Sequence, residues 1–115
     1  MQHRYHLRTT IDASHDVGSM WAPCGERLHG HTWDIEIDVL YDPLDEDMEW
    51  NRMNDAIDEL DGRHLNDMIK PAQATPYGLA NWLMERLRPH IRVERVAAFI
   101  GDSGSSVTAD EVRRK

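Results

Sequence analysis

The chain has 115 residues, enough for one domain with a core able to fold independently, and residues 1–115 are read as that single domain. Its 21 acidic residues against 13 basic ones give a net charge of −8, which argues against a nucleic-acid or anionic-membrane partner. A single cysteine excludes an internal disulfide, no apolar run approaches the roughly 20 residues of a membrane span, and no secretory signal pattern opens the sequence, so a cytoplasmic location is expected.

The first predicted element is a strand over Tyr5–His15. Side chains alternate along a strand, so Tyr5, Leu7, Ile11, Ala13 and His15 share one face, while Arg4, His6, Arg8, Thr10 and Asp12 take the other. A connection long for a hairpin, Asp16–Leu28, follows and carries Cys24 and Glu26; connections of that length are usually functional or disordered. The second strand runs over His29–Tyr41, and here His29, His31, Trp33, Ile35, Ile37 and Val39 share a face. If the two strands pair as a hairpin, His15 meets His29 and His31 at one end of a common apolar face. Three imidazoles with no obvious fourth protein ligand describe a catalytic zinc site with an open position.

Asp42-Pro43 ends the second strand. Met48–Leu60 predicts a helix, because Trp50, Met53, Ala56, Ile57 and Leu60 recur at helical spacing; Asp61-Gly62 stops it. An irregular stretch covers Arg63–Ala74. Thr75 as N-cap with Pro76 at the first helical position opens a second helix, with Leu79, Trp82, Leu83 and Leu87 inward and an end before Pro89. A third strand is expected over Val93–Ile100, a hairpin-type turn over Gly101–Gly104 and a weaker fourth strand over Ser105–Val112. The order, two strands, two helices, two strands (ββααββ), suggests an α+β domain with a four-stranded antiparallel sheet and two helices on one face.

Ile11-Asp12-Ala13-Ser14-His15, Cys24, Leu28-His29-Gly30-His31, Leu60-Asp61 and Leu65-Asn66 resemble the 6-pyruvoyltetrahydropterin synthase and 6-carboxytetrahydropterin synthase family over nearly the whole chain. The resemblance implies the tunnelling fold, in which subunits join their sheets into an oligomeric barrel, commonly as trimers stacked into hexamers. It implies zinc held by His15, His29 and His31 and a small-molecule pterin substrate, beside the expectation from charge and composition of neither nucleic acid nor membrane as partner. It further implies a base from the loop before the second strand. Cys24 has the residue type used by most of the family, at a spacing between those of its two main branches. Glu26 has the spacing of a branch that performs retro-aldol cleavage of a dihydroneopterin.

The other matches are partial. The family's Asp-His relay after the first helix corresponds to Asp61 followed by Gly62; His64, two residues on, is the substitute candidate, and Arg63 a candidate phosphate contact. Thr75 matches a substrate-binding threonine, but Tyr77 replaces a glutamate. Asp102 stands where a glutamate normally grips the aminopyrimidine edge, and equally suits an ordinary turn aspartate.

The leading expectation is a zinc-dependent lyase acting on 7,8-dihydroneopterin triphosphate, giving 6-carboxytetrahydropterin on the route to deazapurines such as queuosine, or the 6-pyruvoyl product. The alternatives are a folate-route aldolase centred on Glu26 and giving 6-hydroxymethyl-dihydropterin, and a non-catalytic relative that binds zinc and pterin.

Overall fold

The computed structural model describes residues 3–15, 29–41, 46–63, 65, 68 and 75–109; of residues 14–15, 29–31 and 46–49 it describes the backbone and not the side chains. Its elements are β1 (His3–His15), β2 (His29–Tyr41), α1 (Glu46–Asp58), α2 (Pro76–Leu87), β3 (Arg92–Ile100) and β4 (Ser103–Thr108). The strands form one antiparallel sheet in the order β1-β2-β3-β4.

The period-two alternation decides which face is covered. Ile11 and Ala13 of β1, Trp33, Ile35, Ile37 and Val39 of β2, Val93, Val96 and Ala98 of β3 and Val107 of β4 are buried in one cluster with α1 and α2. Both helices therefore pack on the same face. Each fully buried Leu, Ile or Met there contributes about 1.5–3 kcal/mol of transfer free energy. Trp33 is wholly buried, and its indole N–H donates to the Ala13 carbonyl at 3.1 Å, so its one polar atom is satisfied.

The opposite face is charged. Asp38 accepts from His6 and from Arg95 at 3.2 Å; Glu36 faces Arg95 at 3.4 Å and Arg8 at 3.8 Å; Arg4 pairs with Glu94 at 3.3 Å. Such cross-strand pairs fix the register through opposite charges side by side.

The helix stripes are narrower than the apolar spacing suggests. Met53, Ala56, Ile57 and Leu60 are buried, whereas Trp50 is 47% exposed. At 3.6 residues per turn Trp50 lies about 70° from the centre of that stripe, on its flank. On α2 the buried set is Leu79, Ala80, Leu83, Met84 and Leu87, and Trp82 sits at the edge of the core, with the Arg86 guanidinium 6.0 Å from its ring centroid. Arg86 also forks onto Glu59, whose carboxylate holds the guanidinium pKa above its ordinary value. Thr75 caps α2 as expected: its hydroxyl accepts the Gly78 N–H at 3.3 Å.

The last hairpin differs from the expectation. Ile100 pairs with Ser103, so the turn is the two residues Gly101-Asp102 and not four, and β4 starts two residues early. Gly101 alone has a positive φ, +56°, the pattern of a type II′ hairpin turn, which suits the twist of the strands it joins. Gly104, expected in the turn, lies in β4 under the Phe99 ring, where a Cβ would come within 2.0 Å of a ring carbon. The strand reaches Thr108, short of the expected Val112, which is outside the described residues.

Candidate metal centre

The ladder of β1 on β2 places the histidines without reference to their side chains. His15 is the register partner of His29, and His31 is the partner of Ala13, one alternation along. All three positions continue the alternation of Ile11, Ala13, Trp33 and Ile35, so they occupy the end of the helix-covered face. Asp12 directs its main-chain groups away from β2, as shown below, so the odd-numbered rungs of β1, including His15 with His29, are the hydrogen-bonded pairs. Partners in such a pair lie about 5.5 Å apart at Cα. The donor set is three imidazole-bearing residues on two neighbouring same-face rungs, a set that suits zinc and the other borderline-soft divalent metals. Among the described residues no group of three histidine, cysteine or carboxylate side chains gathers as a metal site, and the triad's side chains are not among those described. On register and ligand type, the three positions fit the metal.

Other segments converge on the same end of the sheet. Asp34 pairs with Phe99, so β3 runs toward the histidine rungs and the Gly101-Asp102 turn emerges there. Asp102 is exposed at that turn. The segment after α1 also arrives there. The Asp12 N–H donates to Asp61 Oδ1 at 2.9 Å, and the Gly62 N–H donates to the Asp12 carbonyl at 2.6 Å. Both main-chain groups of Asp12 therefore point off the open edge of β1. Its carboxylate accepts the Thr32 hydroxyl across the ladder at 2.8 Å.

Asp61 is thus joined to β1 itself, and the residue after it, in the left-handed region at φ +73°, is the glycine that such a turn favours. The sequence places Asp12 in the Ile11–His15 motif without a partner, and assigns Thr32 no role. An aspartate on the solvent side of a strand carries no signal for contacts 49 and 20 residues away.

The remaining expected residues divide as follows. Arg63 is exposed beside Gly62, its N–H bonded to the Leu60 carbonyl at 3.1 Å. Thr75 is half-buried at the N-cap of α2. Cys24, Glu26 and His64 lie outside the described residues. A groove of about 690 Å³ lined by Leu40, Met84, Arg88, Ile91, Val93 and Ala109 lies at the other end of the sheet, where Leu40 pairs with Arg92. It shares no residue with the histidine end and does not belong to this site.

The family profile of 6-pyruvoyl tetrahydropterin synthase matches residues 4–111. No curated protein matches the chain significantly by sequence. Among solved structures, the fold is similar to 6-pyruvoyl tetrahydropterin synthase of Caenorhabditis elegans, with a TM-score of 0.75 and 15% identity over 95% of this chain and 96% of that one. It is also similar to an uncharacterised protein from Wolinella succinogenes, with a TM-score of 0.64 and 15% identity over 95% of this chain and 99% of that one. At that identity the structural likeness speaks for the fold.

Proposed function

The chain belongs to the 6-pyruvoyl tetrahydropterin synthase family, and from that premise we propose that it is a zinc-dependent lyase acting on 7,8-dihydroneopterin triphosphate, forming 6-carboxytetrahydropterin or the 6-pyruvoyl product. The observation that supports this most is the register of His15 with His29, with His31 on the next same-face rung.

His15, His29 and His31 hold the metal, which when bound supplies a Lewis acid for the hydroxylated side chain of the substrate. Cys24 takes the proton from the side-chain carbon, with Glu26 as the carboxylate competitor for that role. Thr75 accepts the Gly78 N–H and keeps its own O–H to donate to the pterin. Asp102, on the turn at the histidine end, offers two oxygens to a paired donor edge such as an aminopyrimidine. Arg63, exposed next to Asp61-Gly62, gives local positive charge for the phosphates in a chain of net charge −8. His64 is the candidate proton relay, and Asp61, whose carboxylate accepts the Asp12 N–H, ties the segment that carries it to β1.

The form of the sheet supports an assembly of several copies. Among the described residues β1 and β4 are the outer strands and no further strand pairs with either, and a small sheet with such edges is stabilised by pairing with further copies. We place residues 1–115 as one domain of a cytoplasmic homo-oligomer, trimer or hexamer, whose sheets close into a barrel. No described helix is long and apolar enough to cross a membrane.

One preparation tests both parts. Light scattering is expected to give a ring-sized oligomer. The zinc-loaded protein is expected to consume dihydroneopterin triphosphate, to stop after a chelator strips the metal, and to resume when zinc is restored. A monomer at micromolar concentration contradicts the assembly, and turnover indifferent to stripping contradicts the zinc-dependent lyase.

A further inference from the structure

Asp61 and Gly62 meet β1 in the manner of a strand. One accepts the N–H of Asp12 and the other donates to its carbonyl, at 2.9 and 2.6 Å, so two residues from another part of the chain reproduce one rung of a ladder on an open edge. The rung is anchored on both sides. Behind it, Asp61 N–H bonds the Ile57 carbonyl at 3.1 Å, and the neighbouring Leu60 and Leu65 are wholly buried. In front of it, the Asp12 carboxylate holds Thr32 across the ladder at 2.8 Å. Beyond the Asp12–Thr32 pair the described ladder continues with Ala13 opposite His31, Ser14 opposite Gly30 and His15 opposite His29. Among the described residues, the false rung is the cross-tie from the helical layer nearest the triad.

We propose that Asp61 and Gly62 are a positioning pair for the metal triad, pinning the end of β1 so that His15 keeps register with His29. This rests on the reading that the triad binds zinc. It assigns Asp61 a role through its oxygen as an acceptor and not through proton transfer. The residue after Asp61 is glycine, so the next position in the chain carries no imidazole for the carboxylate to orient, and Gly62 serves as a main-chain donor from a left-handed turn.

Asparagine in place of Asp61 keeps an acceptor oxygen at the same position and removes the carboxylate; alanine removes both. Three readouts separate the possibilities: zinc affinity by chelator competition, exchange of the Asp12 amide hydrogen, and turnover. With Asp61→Ala, the Asp12 amide is expected to exchange about 10-fold faster and zinc affinity to fall about 10-fold at unchanged stoichiometry, the low end for residues that support a ligand from outside the coordination sphere. With Asp61→Asn, all three readouts are expected to stay within a few-fold of the parent. The positioning role is overturned if Asp61→Ala binds zinc as tightly as the parent while its Asp12 amide exchanges faster, because the contact is then structural only. It is also overturned if Asp61→Asn loses turnover with zinc affinity and exchange unchanged, because the carboxylate then acts in proton transfer. A parent that binds no zinc removes the triad reading itself. In that case slow exchange at Asp12 leaves a tether with nothing to position, and the proposal falls by a route distinct from the other two.

Discussion

Replacing His29 with alanine is expected to empty the protein of zinc. The parent should carry one zinc per chain, and His15→Ala and His29→Ala should each remove most of it, because a tetrahedral site that already keeps one position open has only three protein ligands and cannot lose one without losing most of its affinity. His3 and His90 supply the controls. His3 stands at the opposite end of β1, paired with Tyr41, and His90 is exposed after α2, so alanine at either should leave the zinc content unchanged. Metal analysis of the purified variants checks this. Full occupancy in His29→Ala would reject the triad. Loss of zinc in His90→Ala would move the site to the other end of the sheet.

The second large effect is expected at the base. Cys24→Ala should lower turnover of dihydroneopterin triphosphate by about 10²-fold or more, the usual scale for removing a general base. Glu26→Gln should cost less, and neither should change zinc content. A thiolate suits removal of a carbon-bound proton of low acidity. An ionised carboxylate is a weaker base and suits a retro-aldol that starts from a hydroxyl already made acidic. The two also differ in pH dependence: a thiol base is active only once deprotonated, which puts the rising limb of the profile nearer neutrality than a carboxylate would. Rates measured for both variants across pH decide the matter. If Glu26→Gln abolishes product while Cys24→Ala stays near the parent, the residue type common in the family is not the base here.

Much of this arrangement is legible in the order of residues. The alternation in Tyr5–His15 and His29–Tyr41 gives the two strands and the face they bury, because a half-covered antiparallel sheet forces a period of two. It also gives the phase of the histidines, and the observed register places His15 opposite His29. Thr75-Pro76 announces the start of α2 through local capping chemistry, and it starts there. What stays hidden depends on distance along the chain. Asp61-Gly62 reads as a stop for a helix reaching Leu60, whereas α1 already ends at Asp58 and a turn carries the chain to Gly62. The bonds of Asp61 and Gly62 to Asp12 span the whole first half of the fold. Trp50 and Trp82 fit helical spacing yet lie on the flanks, since spacing tells which residues share a stripe and not how wide a strip the sheet covers. The turn at Gly101-Asp102 is shorter than its composition suggests, because the pairing of Val96 with Val107 sets the register and draws Ser103 and Gly104 into the strand.

The measurement that bears most directly on the function is the identity of the product. Purified zinc-loaded protein should be incubated with 7,8-dihydroneopterin triphosphate and the pterins resolved by mass. A zinc-dependent lyase of the proposed kind is predicted to release inorganic triphosphate and form 6-carboxytetrahydropterin or the 6-pyruvoyl product, with nothing formed by His29→Ala. No pterin product from the zinc-loaded parent, or 6-hydroxymethyl-dihydropterin as its sole product, would contradict that prediction.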